Sequence, residues 1–228
     1  MIPGLILFFV VAISDWVAVA RKWKRVETVA KPLAMLVLIG MIFFEGGLRN
    51  LPLIFFTVGI FLSLAGDIFL MIDTSGISRR WFILGLVAFL LAHMAYIAGL
   101  NIPLPDVSPL WSLGLAIVLS LTVARFLRQI ISSLRNKGMQ GLVIPIAIYA
   151  TVITIMLLSA LLTLRRSDWL LSAASLVSLG ALLFYISDLV LAWDRFVSPV
   201  KNGRVVNMIT YHLGQAGLVI GILLQFGQ

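Results

Sequence analysis

SLAGDIFLMIDTSGISRRWFILGLVAFLLAHMAY, residues 63–96, sets two long apolar runs on either side of a short polar stretch and places a carboxylate, Asp67, inside the first of them. A helix that crosses a bilayer needs about 20 mainly apolar residues, and runs this long without period-2 alternation argue against strands. An ionisable group at membrane depth costs at least ~2.5 kcal/mol by insertion scales, so it faces a bundle interior or a wet cavity and marks a functional site. The same device recurs in LFYISDLVLAWDRF, residues 183–196, where Asp188 is followed six residues later by Asp194 as Asp67 is by Asp73. The rest of the chain reads as scaffold for these two acids.

The composition carries the reading to the whole chain. Of 228 residues 61% are hydrophobic and 11% charged, with a mean hydropathy of +1.12; soluble domains run about 45–50% apolar and about 25% charged. This predicts one integral, multi-pass membrane domain over residues 1–228, in the inner or plasma membrane if the source is bacterial. The net charge of +8 would point to nucleic acid in a soluble protein. Here the basic residues fall between apolar runs, which is a topology signal, and no nucleic-acid partner is expected. The absence of cysteine excludes a disulfide framework, thiolate catalysis and Cys-ligated metal. Residues 3–20 are apolar with no Lys or Arg before them and Arg21, Lys22, Lys24 and Arg25 after; this reads as a first span and not a signal peptide.

Apolar runs bounded by charge, Pro or Gly predict an all-α bundle of eight transmembrane helices, near 3–20, 29–44, 52–72, 81–100, 107–125, 141–164, 169–192 and 205–226. Pro32, Pro52 and Pro145 are expected in first turns, where a missing N–H does no harm. The odd connections hold thirteen Lys and Arg and the even ones three, Arg49, Arg165 and Arg166. By the positive-inside rule the odd connections are cytoplasmic and both termini are not. Trp16, Trp81, Trp111, Trp169 and Trp193 fall near helix ends, as an aromatic belt requires.

Asp15, Asp67 and Asp188 each stand six residues before a charged residue on a helix descending to the cytoplasmic face. At ~1.5 Å per residue all three lie ~9 Å inside it, which makes a layer. The even helices bring complementary groups to it: Lys31, Tyr149, and Tyr211, His212 and Gln215, of which Tyr211 and Gln215, four apart, share a face. His93 and Tyr96, three apart on the fourth helix, lie ~19 Å from Arg80 by rise, so His93 fits the layer least. The GD motif with a later AHMAY and the SD motif with a later TYHLGQ form a faint internal repeat. Two halves of like orientation, a 4+4 parallel repeat, would place a site between them.

Several chemistries are open to these residues. His93, His212, Asp67 and Asp188 could be written as metal ligands, but no HExxH or HxxxH pair exists and the histidine depths differ. Ser187 as a nucleophile would need a base, and its side chain diverges from that of Asp188 by about 100° on a helix. Paired carboxylates can divide acid and base roles: desolvation disfavours the charged form, so one of a pair can stay protonated, as a general acid must. The plainer alternative is that Asp67 and Asp188 pair with Lys31 or accept tyrosine hydrogen bonds to hold helices together. Asp15, His93 and His212 have the same plain alternative, and Lys31 could snorkel to the interface.

KPL at 31–33, LAGDIFLM at 64–71, GLVAFLLAHMAYI at 85–97, the isolated Tyr149, ALLFYISDLVLAWDRF at 181–196 and YHLGQ at 211–215, in this order and spacing, resemble the YhhN family of lysoplasmalogenases, eight-helix membrane proteins. The resemblance implies hydrolysis of the sn-1 vinyl ether of lysoplasmalogens to a fatty aldehyde and glycerophosphoethanolamine or glycerophosphocholine, with a lysophospholipid substrate taken from the bilayer and no metal or organic cofactor. Asp67 and Asp188 would be the catalytic acid and base, in an order left open. Tyr149, Tyr211 and Gln215 would orient water or the glycerol hydroxyl, Lys31 would meet the phosphate, and Asp15, His93, Tyr96 and His212 complete the candidate substrate-binding set. The alternative of another class is a transporter or lipid flippase using the same acids for proton or cation coupling; a lipid-binding scaffold is a third.

Overall fold

Apolar runs separated by charge fold here as helices because inside a bilayer every backbone polar group must be satisfied within its own segment. The computed structural model describes residues 1–72 and 79–227, and is all-helical over them; Asp73, and with it the first of the two six-residue acid spacings, lies outside the described residues. Eight long helices are present: α1 (Ile2–Arg21), α2 (Lys24–Met41), which runs on through a π turn (Ile42–Gly46), α3 (Leu51–Ile72), α4 (Arg79–Leu100), α5 (Pro109–Asn136), α6 (Val143–Leu162), α7 (Leu171–Phe196) and α8 (Gly203–Phe226). All eight are long and apolar enough to cross a membrane, and the protein is a multi-pass integral membrane protein.

Helix length departs from the hydropathy reading where a helix continues beyond its apolar run. α5 extends to Asn136, carrying Arg125, Arg128 and Arg135 on its last turns, and α7 extends to Phe196. α2 begins at Lys24, so Pro32 lies inside the helix and not in its first turn. Pro32 has no N–H, and the Thr28 carbonyl loses its usual partner one turn on. α1 is stopped by Lys22 in the left-handed region (φ 59°), whose N–H returns to the Ala18 and Val19 carbonyls.

The most extensive packing lies within two antiparallel pairs, α3–α4 and α7–α8. In the second, Gly180 meets Gly214, Gly217 and Leu218 so closely that a Cβ at Gly180 would stand 2.6 Å from the Leu218 amide nitrogen and 2.8 Å from the Gly214 carbonyl oxygen. Small residues permit such backbone approach between membrane helices. Because the obstruction is backbone, Gly180→Ala should destabilise the fold by about 1–3 kcal/mol, read as a lower unfolding temperature in detergent; an unchanged temperature would show that the helices can part freely. α1 rests on α2 and α8. α5 is peripheral, with no buried residue before Ile130.

The end opposite the acids is held by Arg166, 5% exposed. Its guanidinium donates to the Leu100 carbonyl (2.9 Å), the Pro103 carbonyl (2.8 Å) and both Asp168 oxygens (2.9 and 2.6 Å), and it lies over the Trp169 ring. Trp169 is buried against Phe226 and is a packing residue, not part of an aromatic belt. The hydrogen bonds from Arg166 hold the Asp168 carboxyl below its ordinary value. A lowered folded value means stability that is present above the unfolded value of about 3.9 and lost as pH falls through the folded one. The difference in unfolding temperature between wild type and Asp168→Asn should therefore be largest at neutral pH and close below about pH 4.

Candidate active site

At the end where α1, α3, α5 and α7 finish, α2, α3, α4, α7 and α8 enclose a cleft of about 400 Å³. Asp67 and Asp188 both line it. Asp67, 1% exposed, stands on α3 behind Gly66, whose missing Cβ admits the Phe89 ring. Its Oδ1 pairs with the Lys31 ammonium at 2.8 Å, and its Oδ2 accepts from the Tyr211 hydroxyl at 2.6 Å. Lys31, 7% exposed, is thus turned inward to Asp67 and does not stand free at the rim. Asp188 is more open, with 16% of its side chain exposed. Its Oδ2 accepts a hydrogen bond from the Tyr149 hydroxyl and lies 3.5 Å from His93 Nε2, which is itself 3.0 Å from the Tyr149 oxygen.

The surroundings of the two acids match. Each is met by one side chain from the helix before its own, Lys31 or Tyr149, and one from a helix of the other half of the chain, Tyr211 or His93.

His93 corrects the depth reading. The Phe82 and Phe196 rings meet at 5.6 Å, which sets α4 and α7 in register. From there His93 is eleven residues along and Asp188 eight, a difference of only ~4.5 Å at ~1.5 Å per residue, which the side chains close. Counting from Arg80 had no such common origin.

Six candidates do not line the cleft; His93 and Tyr149 stand behind Asp188, and the other four lie further off. Tyr96, fully buried, donates to Gln215 Oε1 at 2.8 Å and lies 3.5 Å from Ser63 Oγ, which ties α4 to α8 and α3. Asp15 and His212, both 0% exposed, face each other across α1 and α8 with Oδ2 4.0 Å from Nδ1, and Trp16 donates to that nitrogen at 3.0 Å. Trp16 is therefore a core contact as well. The two histidines stand at different acids, and among the described residues no group of three metal-ligating side chains forms. Ser187 donates to the Asn207 carbonyl and accepts from its side-chain amide, so it bridges α7 and α8.

The rim holds Lys24, Glu27, Asp194, Arg195 and Arg204; from sequence the three basic residues read as topology charges, Glu27 as an acid beside a connection and Asp194 as the second acid of the Asp188 spacing. Arg204 pairs with Glu27 at 2.5 Å, Arg195 lies 4.2 Å over the Phe82 ring, and Asp194 accepts from the Val200 amide at 2.7 Å. A signal existed: Lys24, Glu27 and Lys31 are three and four apart and share a helix face, and Arg195 follows Asp188 by seven residues, about two turns.

A sequence model of the YhhN family matches residues 26–222. The human lysoplasmalogenase TMEM86B is 30% identical over 142 residues, 62% of this chain and 54% of that protein; the mouse lysoplasmalogenase TMEM86B is 30% identical over the same shares. A Dictyostelium discoideum lysoplasmalogenase homolog is 27% identical over 196 residues, 74% of this chain and 62% of that one. The chain thus spans about half the length of the first of these relatives. No solved structure matches.

Proposed function

The chain belongs to the YhhN family, and from that premise and the cleft we propose that it is a lysoplasmalogenase, hydrolysing the sn-1 vinyl ether of a lysoplasmalogen to a fatty aldehyde and the glycerophospho-alcohol. The observation that carries the reading is that two carboxylates from different helices line one cleft, each fixed by a phenol, beneath a rim bearing Lys24, Arg195 and Arg204. Vinyl ethers hydrolyse by protonation on carbon. A proton added to the carbon beyond the one bearing oxygen leaves an oxocarbenium ion; water adds to it, loses a proton, and the hemiacetal collapses to aldehyde and alcohol.

Such a sequence needs a proton donor, a carboxylate facing the cation and a water, which the two acids and their phenols supply. Asp67, bonded to the Lys31 ammonium, serves as the charged carboxylate that takes the proton of the water. Asp188, whose partners are the Tyr149 phenol and the His93 ring, is the donor to carbon. The rim cations Lys24 and Arg204 receive the phosphate, a role better suited to them than to the inward Lys31, and Glu27 and Asp194 are placed for an ammonium headgroup. With this end of the bundle at the cytoplasmic face, the acids lie just below headgroup level, where the vinyl ether of a lysolipid stands.

The test is aldehyde release, measured by mass spectrometry, from lysoplasmalogen in liposomes containing the purified protein. Stoichiometric aldehyde and glycerophospho-alcohol are expected, unchanged by a chelator. Movement of an intact lipid or solute without aldehyde would mean a transporter instead, and chelator sensitivity would mean that a metal takes part.

A further inference from the structure

Behind Asp188 the cleft continues into a second space of a different character. It is a groove of about 100 Å³ between α4, α5, α6 and α7, walled by side chains such as Val123, Leu127, Ile146, Ala150 and Leu189. Leu70, Phe82, Phe89, Asp188, Leu191 and Arg195 line both spaces, so polar cleft and apolar groove meet at the donor carboxylate. α5 closes one side of the groove. α5 has no buried residue before Ile130, whereas α1 seats Phe8, Ala12 and Asp15 fully buried against α2 and α8.

We propose that this groove holds the first part of the hydrocarbon chain of a single-chain lipid, which enters and leaves sideways between α5 and the α6–α7 face. The proposal rests on the hydrolase reading above. Continuity names the occupant: a molecule with its phosphate at the cationic rim and its reacting ether at Asp188 must send its chain onward, and the groove is the apolar space that Asp188 adjoins. The opposite side of the cleft offers Lys24, Glu27, Thr28, Lys31 and Asn207, where a second chain would leave charged and polar groups without water. The groove is too small for a whole long chain, so the remainder lies in the bilayer beside α5. Selectivity therefore falls on the carbons nearest the ether and on bulk at that point, and little on total chain length.

The experiment uses the wild-type protein in liposomes and a non-hydrolysable 1-O-alkyl lysophosphocholine carrying a diazirine close to the ether. After irradiation, label should map to α5, α6 and α7 peptides bordering the groove, above the background given by a two-chain phosphatidylcholine with the same diazirine. Label spread as in that control, or placed on α1 or α2, would overturn the proposal. Ala150→Trp, which fills the groove, should lower kcat/KM by about tenfold or more for long-chain and short-chain lysoplasmalogens alike; an unchanged kcat/KM in a folded variant counts against it. Label in the groove without aldehyde release by wild type would leave the groove as a lysolipid site and defeat the hydrolase reading. Aldehyde release with label elsewhere would do the reverse.

Discussion

Asp188→Asn should lower kcat for aldehyde release by about 10²–10⁴-fold, the range for removal of a general acid or base, with KM changed far less. Asparagine keeps the shape and can still accept the Tyr149 hydrogen bond through its amide oxygen, so the helix contacts survive and only proton delivery is lost. Loss confined to kcat is what removal of an interaction made only in the transition state produces. Asp67→Asn should fall in the same range, since it removes the charge facing the cation while an amide oxygen still accepts from Tyr211; it also loses stability, because the buried Lys31 ammonium is left unpaired. Purified protein, assayed well below the unfolding temperature of each variant, gives the comparison. Turnover within threefold of wild type in either variant would remove that residue from the reaction and leave it the helix-holding role.

The contrast between what was readable and what was not follows from the physics of each signal. Eight apolar runs were legible because bilayer thickness imposes a length, and Asp67 and Asp188 because a carboxylate in hydrocarbon stands out against its neighbours. Lys31, Tyr149 and Tyr211 were legible as partners because the even helices start at the same end. The extent of α5 was not, since hydropathy marks the membrane and not the helix, and α5 carries Arg128 and Arg135 on helical turns beyond the apolar run. Tyr96 and Gln215 look like site residues in one dimension; only the folded bundle shows that the Tyr96 hydroxyl on α4 is donated to Gln215 Oε1 on α8. The groove was illegible for a stronger reason. Val123, Ala150 and Leu189 are ordinary residues of apolar helices, and a space between helices is defined by where the helices stand, which periodicity does not encode.

The second large effect concerns Lys31. Its ammonium and Asp67 are 8% and 1% exposed and 2.8 Å apart, and removing one partner of a buried pair leaves an uncompensated charge at a cost of about 3–5 kcal/mol. Lys31→Met should therefore lower the unfolding temperature by on the order of 10 °C, and should also abolish turnover, because the only way for Asp67 to escape the penalty is to take up a proton and give up its charge. Replacing both, as Lys31→Met with Asp67→Asn, removes the orphan, and two neutral groups of similar volume can restore stability to near wild type. Activity should not return with it. This separation of stability from turnover distinguishes an acid that only holds helices together from one that faces a cation: a double variant that regained both would show the charge at Asp67 to be dispensable. A Lys31→Met protein as stable and as active as wild type would show in turn that the ammonium does not sustain the carboxylate, and the division of labour between Asp67 and Asp188 would have to be given up.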